Sequence, residues 1–253
     1  MLRIILSGCN GTVGRVIDTC VKLRVDCTIA AGIDPNDAPE KDYSVFASAA
    51  ACTTPADVII DFSHPAALGG LVELARVRKL PLVVATTGLS KEQVASLQGL
   101  AQEVPVLLSA NMSIGVNLLA ELVKVAAHAL GKNFDIEIIE RHHNKKIDAP
   151  SGTALMLADA ASTQLDPHPQ YVYDRHSKRS RRTQSEIGIH AVRGGTIVGE
   201  HEVVFAGQDE VLSISHSAAS KEVFAVGAIN AAQFLSKQPP GMYSMKSMFD
   251  IGG

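Results

Sequence analysis

The chain has 253 residues, of which 46% are hydrophobic, 19% charged and 4% aromatic, with no tryptophan. That is a globular composition with an aliphatic core of Val, Ile, Leu and Ala, long enough for one large core or two modest ones. A formal net charge of −3 excludes the strong basic excess of a dedicated nucleic-acid binder, and no apolar run reaches the roughly 20 residues that cross a bilayer.

The opening MLRIILSGCNG lacks the long apolar region and small-residue cleavage site of a signal peptide and reads as a buried first strand. Cys9, Cys20, Cys27 and Cys52 fall early in the chain with no CxxC spacing. They argue against a zinc site or a disulfide framework and fit reduced thiols in a cytoplasmic protein.

LRIILS (2–7) predicts the first strand, and Val13, Val16, Ile17, Cys20 and Val21 have helical spacing over 12–23. DCTIAAGID (26–34), DVIIDFS (57–63), PLVVATTG (81–88) and VPVLLSA (104–110) are further strands, with helices over 65–79 and 90–103 between the last three. Near-continuous apolar strands alternating with helices predict a parallel sheet covered on both faces, a Rossmann-like doubly wound fold. After residue 113 the pattern changes. A long helix is expected over 114–130, a strand over 133–143, a helix over 152–165, and strands over 186–193, 196–206 and 210–218. This predicts a second α+β domain with a mixed sheet, residues 114–219. The last helix, 220–236, returns to the first domain, which comprises residues 1–113 and 220–253. KRSRR (178–182) reads as a solvated loop.

SGCNGTVG places Gly8, Gly11 and Gly14 between the first strand and the first helix. The spacing is G-x-x-G-x-x-G, but the mechanics of a dinucleotide turn still apply: a tight turn, close backbone approach to a pyrophosphate, and a helix N-terminus facing it. Asp34 ends the second strand about 20 residues on, where a carboxylate accepts ribose hydroxyls. Later strand ends carry Asp61, Ser63 and His64, then Thr86 and Thr87, then Ser109, Ala110 and Asn111. Ligands of open α/β sheets bind outside those ends, although turn chemistry explains each of these residues singly.

ERHHNKKIDAPSGTA (140–154) concentrates proton carriers beside a helix start. Adjacent His142 and His143 point to opposite faces of a strand, which makes a shared metal ion a poor reading, and no metal is expected. A helix beginning at Gly152 offers N–H groups to a carboxylate, Thr153 adds a hydroxyl, Lys146 adds a positive charge or a proton, and His142 exchanges protons near neutral pH. Beside a dinucleotide domain this set suits hydride transfer followed by proton delivery to a small anionic substrate. Another small-substrate dehydrogenase, or a dinucleotide sensor without turnover, remains open on these residues alone.

Over nearly its whole length the sequence resembles the 4-hydroxy-tetrahydrodipicolinate (dihydrodipicolinate) reductase family of lysine and diaminopimelate biosynthesis. GCNGTVGR, DFSHPAA, ATTGLS, SANMSIGVN, IEIIERHHNKKIDAPSGTAL, EIGIHAVRGGTIVGEHEVVFAG and GMYSMKSMFDI carry the resemblance. It implies NAD(P)H-dependent reduction of a cyclic dicarboxylate in a homotetramer. It also implies His142 as acid/base, Lys146 as proton donor, and His143, Gly152 and Thr153 as substrate contacts. Gly8, Cys9, Asn10, Gly11, Thr12, Val13, Asp34, Ala85, Thr86, Thr87, Ser109, Ala110, Asn111 and Met112 are implied as cofactor contacts. Asp34, with no Arg after it and Lys41 the first cation beyond, predicts a modest preference for NADH with NADPH still used. Lys221 departs from the family, which often has Arg there; Lys is a point charge where Arg is a fork.

Overall fold

The computed structural model describes residues 1–36 and 40–249; Asp37 and the last two residues of the GMYSMKSMFDI ending lie outside the described residues. The chain divides into two compact units, Met1–Ile114 with Lys221–Gly253, and Gly115–Ser220.

The first unit holds β1 (Leu2–Ser7), α1 (Thr12–Lys22), β2 (Cys27–Ile33), β3 (Ser44–Phe46), β4 (Val58–Asp61), α2 (Leu68–Arg78), β5 (Leu82–Val84), α3 (Lys91–Leu100) and β6 (Pro105–Leu108). The long helix α4 (Ile114–Leu130) leads into the second unit, with β7 (Asp135–His142), α5 (Gly152–Ser162), β8 (Gln170–Val172), β9 (Glu186–Arg193), β10 (Gly199–Ala206) and β11 (Val211–Ala218). Helix α6 (Glu222–Leu235) and β12 (Gly241–Tyr243) complete the first unit.

Seven strands of the first unit form one parallel sheet in the order β12-β6-β5-β4-β1-β2-β3. Apart from the added β12, this is the strand order of dinucleotide-binding sheets. Strand periodicity sorts β1 onto both faces. Ile4 and Leu6 pack with Ile17 and Val21 of α1 and with Ala228 and Leu235 of α6, while Ile5 packs with Leu71 of α2 and Leu97 of α3. Both faces are therefore covered, which is why the strands read as continuous apolar runs. Helix α6 comes close to the backbone after β6: a Cβ on Gly227 would lie 1.7 Å from the Met112 carbonyl oxygen.

The second unit has a mixed five-stranded sheet, β11-β10-β7-β9-β8. Strand β10 is antiparallel to both β7 and β11, and β9 is parallel to β7 and β8. One core joins Leu119 and Val123 of α4, Leu157 and Ala161 of α5, and Ile136, Ile138, Ile187 and Val203 of the sheet. Burial alternates along β7. The face that carries Ile136 and Ile138 into the core therefore also carries Glu140 and His142 inward.

Predicted and observed elements differ at their edges and in three short strands. β3, β8 and β12 have three residues each and, unlike the equally short β5 with its apolar Leu82–Val84, stand in no continuous apolar run; they become strands by pairing with a neighbour. The 65–79 helix begins as a 3-10 turn at Pro65–Ala67, in which His64 Nδ1 accepts from the Ala66 N–H, and it stops where Lys79 turns left-handed at φ 52°. The strand predicted from 196 starts at Gly199, after a turn at Gly195 with φ 48°. Of the basic run, Lys178, Arg179 and Arg181 are exposed as a solvated loop requires. Arg182 is the exception. Its guanidinium binds Glu137 at 2.9 Å and the Ile136 and Glu186 carbonyls at 3.0 and 2.6 Å, tying the loop to the sheet.

Candidate active site

The glycine turn of the first unit is built from backbone. Gly8 has φ 76°, and a Cβ there would fall 2.4 Å from the Phe62 carbonyl oxygen. At Gly14 a Cβ would fall 2.1 Å from the Gly8 carbonyl oxygen, so strand and helix meet at glycine distance. Gly11 is the N-cap of α1 and donates to the Gly8 carbonyl at 3.0 Å; no side chain caps the helix. Its first N–H groups thus face outward, the arrangement that binds phosphate. Cys9 is fully buried in the core and Val13 packs against it. Burial pushes the Cys9 thiol up to about 11. Thr12 is exposed beside them.

A cavity of about 910 Å³ opens beside this turn, lined by Gly8, Asn10, Gly11, Arg15, Asp34, Asn36, Ser48 and His64, among others. Asp34 is 7% exposed. Its Oδ2 accepts the Asn10 N–H at 3.0 Å, and its Oδ1 accepts the Asn36 N–H at 3.0 Å and Nδ2 at 3.1 Å. A carboxylate has about four acceptor sites, so one remains for a ribose hydroxyl and a second opens if the Asn36 amide turns away. Lys41, the first cation after Asp34, is engaged elsewhere, 3.0 Å from Asp18 Oδ2 and 3.4 Å from the Cys9 carbonyl. Arg15, four residues past Gly11 on α1, lines the cavity with Asp34. The sequence reading missed it because it looked for a cation after the second strand. GTVGR places this one a helical turn beyond Gly11 and next to Gly14.

The strand ends beyond the cavity divide into side-chain and backbone contributions. Thr86 donates its hydroxyl to Asp61 Oδ2 at 2.8 Å, and fully buried Asp61 also accepts the Ser63 N–H at 3.0 Å. That hydroxyl proton is therefore committed to shaping the strand ends. Thr87 and Ala110 are exposed, Ala85 and Met112 are buried in the core, Ser109 Oγ donates to the Asn111 carbonyl at 2.7 Å, and Asn111 Oδ1 takes the Ser113 N–H at 2.9 Å. None of Ala85, Thr86, Thr87 or Ser109 to Met112 lines the cavity.

In the second unit the cluster converges on Glu140. This carboxylate is fully buried, and His142 is 9% exposed. Glu140 Oε2 lies 2.6 Å from His142 Nδ1 and 2.7 Å from Arg193 Nη1; Oε1 takes Arg193 Nη2 at 2.7 Å and the Ser151 N–H at 3.0 Å. Burial alone would raise this carboxyl, but the Arg193, His142 and Ser151 hydrogen bonds outweigh it and hold Glu140 below the usual carboxylate range. Sheet register brings the partners together: Arg193 pairs with His142, and His201 with Glu140. The His201 ring meets His142 edge-on at 5.2 Å between centroids, and its Nε2 is 3.0 Å from Ser151 Oγ. Burial, and then the neighbouring His142, push His201 down to about 4.

Ser151 caps α5, its Oγ accepting the Ala154 N–H at 3.1 Å. Gly152 is exposed and Thr153 half-buried in the first turn, and a Cβ on Gly152 would meet nothing within 4 Å. Glycine there leaves open space before the helix start. Lys146 Nζ pairs with Asp148 Oδ1 at 2.9 Å and holds that carboxyl below its usual range. Asp148 is mostly exposed, so this pair is weak. His143 is half-buried and its carbonyl takes the Lys146 N–H at 3.2 Å. Among the described residues no cluster of three His, Cys, Asp or Glu is placed to hold a metal ion. Glu140, Arg193 and His201 were missed in the sequence. Only Glu140 had a readable signal, two residues before His142 on the same strand face.

A dinucleotide cradle on a parallel sheet in one unit, and a proton-exchanging cluster beside a helix start in the other, define the chain as a nicotinamide-dependent oxidoreductase. The dihydrodipicolinate reductase N-terminus model matches residues 2–112 and the C-terminus model residues 115–249. The chain belongs to the dihydrodipicolinate reductase family. It is 50% identical over 252 residues to the 4-hydroxy-tetrahydrodipicolinate reductase of Caldanaerobacter subterraneus subsp. tengcongensis, covering 100% of both chains. It is 47% identical over 250 residues to that of Clostridium tetani, covering 99% and 98%. A dipicolinate-bound dihydrodipicolinate reductase from Paenisporosarcina sp. TG-14 has the same fold, with a TM-score of 0.83 and 23% identity over 98% of this chain and 100% of that one.

Proposed function

We propose that the chain reduces 4-hydroxy-tetrahydrodipicolinate to tetrahydrodipicolinate with NADH or NADPH, as a step of diaminopimelate and lysine biosynthesis. The observation that carries this reading is the start of α5. Its cap, Ser151, is hydrogen-bonded into the Glu140–His142 pair, so carboxylate binding and proton exchange share one framework. Bound NAD(P)H supplies the hydride. Gly152 and Thr153 hold a substrate carboxylate at the helix N-terminus, His143 contacts the substrate, and the His142/Lys146 side delivers the proton.

The first unit is the dinucleotide-binding domain. Its contacts are Gly8 to Val13 with Asp34, and the strand ends Ala85 to Thr87 and Ser109 to Met112. The remaining acceptor capacity of Asp34 supports a preference for NADH. Arg15 on the same cavity wall supplies the cation that a 2′-phosphate needs, so the preference is modest. The second unit binds substrate and makes the homotetramer. Exposed Leu118, Leu122 and Val125 along one face of α4, and Val211 and Leu212 on the edge strand β11, support such an interface. No helix of the described residues is long and apolar enough to cross a membrane; with four free cysteines, this supports a cytoplasmic enzyme.

The test is a coupled assay. Substrate is generated in place from pyruvate and aspartate semialdehyde, and oxidation of the reduced nicotinamide is followed by absorbance. Turnover that depends on both precursors is expected. Cofactor binding without turnover overturns the reading in favour of a sensor.

A further inference from the structure

Glu140 faces a saturated set of donors. Arg193 donates to both carboxylate oxygens at 2.7 Å, the Ser151 N–H donates at 3.0 Å, and His142 Nδ1 stands at 2.6 Å. Four donors fill the roughly four acceptor sites of one carboxylate. Held ionised by the Arg193 fork, Glu140 can only accept. The nitrogen facing it must therefore carry hydrogen. That assigns the tautomer of His142: Nδ1 is protonated and Nε2 is the basic nitrogen. On the Nε2 side stands Gly199, where a Cβ would come within 3.1 Å of that atom. A side chain there would crowd the one nitrogen left to exchange a proton. Arg193 is fixed in turn, because Nη2 also donates to the Asp148 carbonyl at 2.7 Å. The clamp thus spans β7, β9 and the loop that carries Lys146.

We infer that Glu140, clamped by Arg193, is a positioning residue that holds His142 as the Nδ1–H tautomer and aims Nε2 at the substrate. Through its other oxygen it fixes Ser151, and with it the helix start that binds the carboxylate. The inference rests on the proposed role of His142 as acid/base. It assigns the exchanging atom and gives a role to Glu140 and Arg193. His201, edge-on to the ring and in contact with Ser151 Oγ, closes the cluster from β10.

The test compares Glu140→Gln, Arg193→Lys and His142→Asn in the full-length protein. Gln keeps the shape of Glu140 but carries donors, so either the Arg193 fork or His142 Nδ1–H loses its acceptor. Expected for Glu140→Gln is a kcat lower by roughly 10–100-fold, by analogy with loss of the partner that orients a metal-bound imidazole, with the dissociation constant of NADH unchanged. Arg193→Lys keeps the carboxylate and loses the fork, so it lowers kcat in the same direction by less, and it stands in if Glu140→Gln does not fold. The tautomer is read directly from the imidazole ¹⁵N shifts of His142, assigned by their loss in His142→Asn. Wild type is expected to show protonated Nδ1, and Glu140→Gln a mixture. A bare Nδ1 beside a protonated Nε2 in wild type overturns the inference, and so does a wild-type kcat in Glu140→Gln beside an impaired His142→Asn. Full turnover in His142→Asn overturns the acid/base reading as well.

Discussion

Helices α1 and α5 both begin at a turn suited to an anion, by opposite means. Helix α1 has no side-chain cap and approaches its strand through Gly8 and Gly14, where a Cβ would strike backbone at 2.4 and 2.1 Å. Helix α5 is capped by Ser151, whose own N–H and hydroxyl are bound to Glu140 and His201. A pyrophosphate is large, permanently charged and needs only close backbone N–H groups. A substrate that must be both held and protonated needs side chains of set orientation, and such side chains are held by buried, hydrogen-bonded polar groups. Glycine is therefore a steric requirement at the first turn, whereas Gly152 at the second fronts open space.

The contrast is tested most severely at Lys146. Lys146→Ala removes the proposed proton donor from the second unit and leaves the cradle of the first intact. It should lower kcat by roughly 10²–10⁴-fold with NADH affinity unchanged by fluorescence titration. A variant with full turnover removes Lys146 from the mechanism.

Alanine at the two glycines should separate the two designs next. Gly14→Ala forces a Cβ onto the Gly8 carbonyl and should destabilise the first unit by roughly 3 kcal/mol, the upper end of the usual overpacking range, with loss of NADH binding. Gly152→Ala meets no obstacle, so the protein should melt at or slightly above the wild-type temperature. Its KM should rise because the methyl enters the space before the helix start. Equal loss of stability in both variants would erase the distinction.

Acid should act through the second unit. His201 is held at about 4 against an ordinary 6.5, so below 6.5 the unfolded chain binds a proton that the native state refuses. Stability from this group is complete above 6.5 and drains away as pH falls toward 4, by roughly 3 kcal/mol across that window. His201→Gln does not titrate, so its urea midpoint should fall less than that of wild type between those limits. Parallel declines would show that His201 is not what acid attacks.

The smallest effect belongs to the first unit's cofactor choice. Asp34→Ala should shift the ratio of kcat/KM values toward NADPH by less than tenfold, and Arg15→Ala should shift it the other way. A wild-type preference for NADPH of tenfold or more, about 1.4 kcal/mol, would make Arg15 the dominant partner on that cavity wall.

Much of this protein could be read along the chain, where the information is local. Continuous apolar runs, strand period two and helix period 3.6 placed every long element, and Glu186–Arg193 came out to the residue. Gly8, Gly11, Gly14, Asp34 and the 140–154 cluster stood out because residue type and spacing carry their chemistry. What the chain alone left undecided depends on register and on the third dimension. β3, β8 and β12 exist only as partners of longer strands. Arg193 and His201 lie 53 and 61 positions beyond Glu140 in sequence and reach its neighbourhood through the β7–β9 and β7–β10 pairings. Arg15 and Asp34 share a cavity only because α1 and the end of β2 both line it. Spacing exposes a proton carrier, but the carboxylate that sets its tautomer is identified only when the sheet closes around it, since burial and hydrogen-bond saturation are properties of the packed structure.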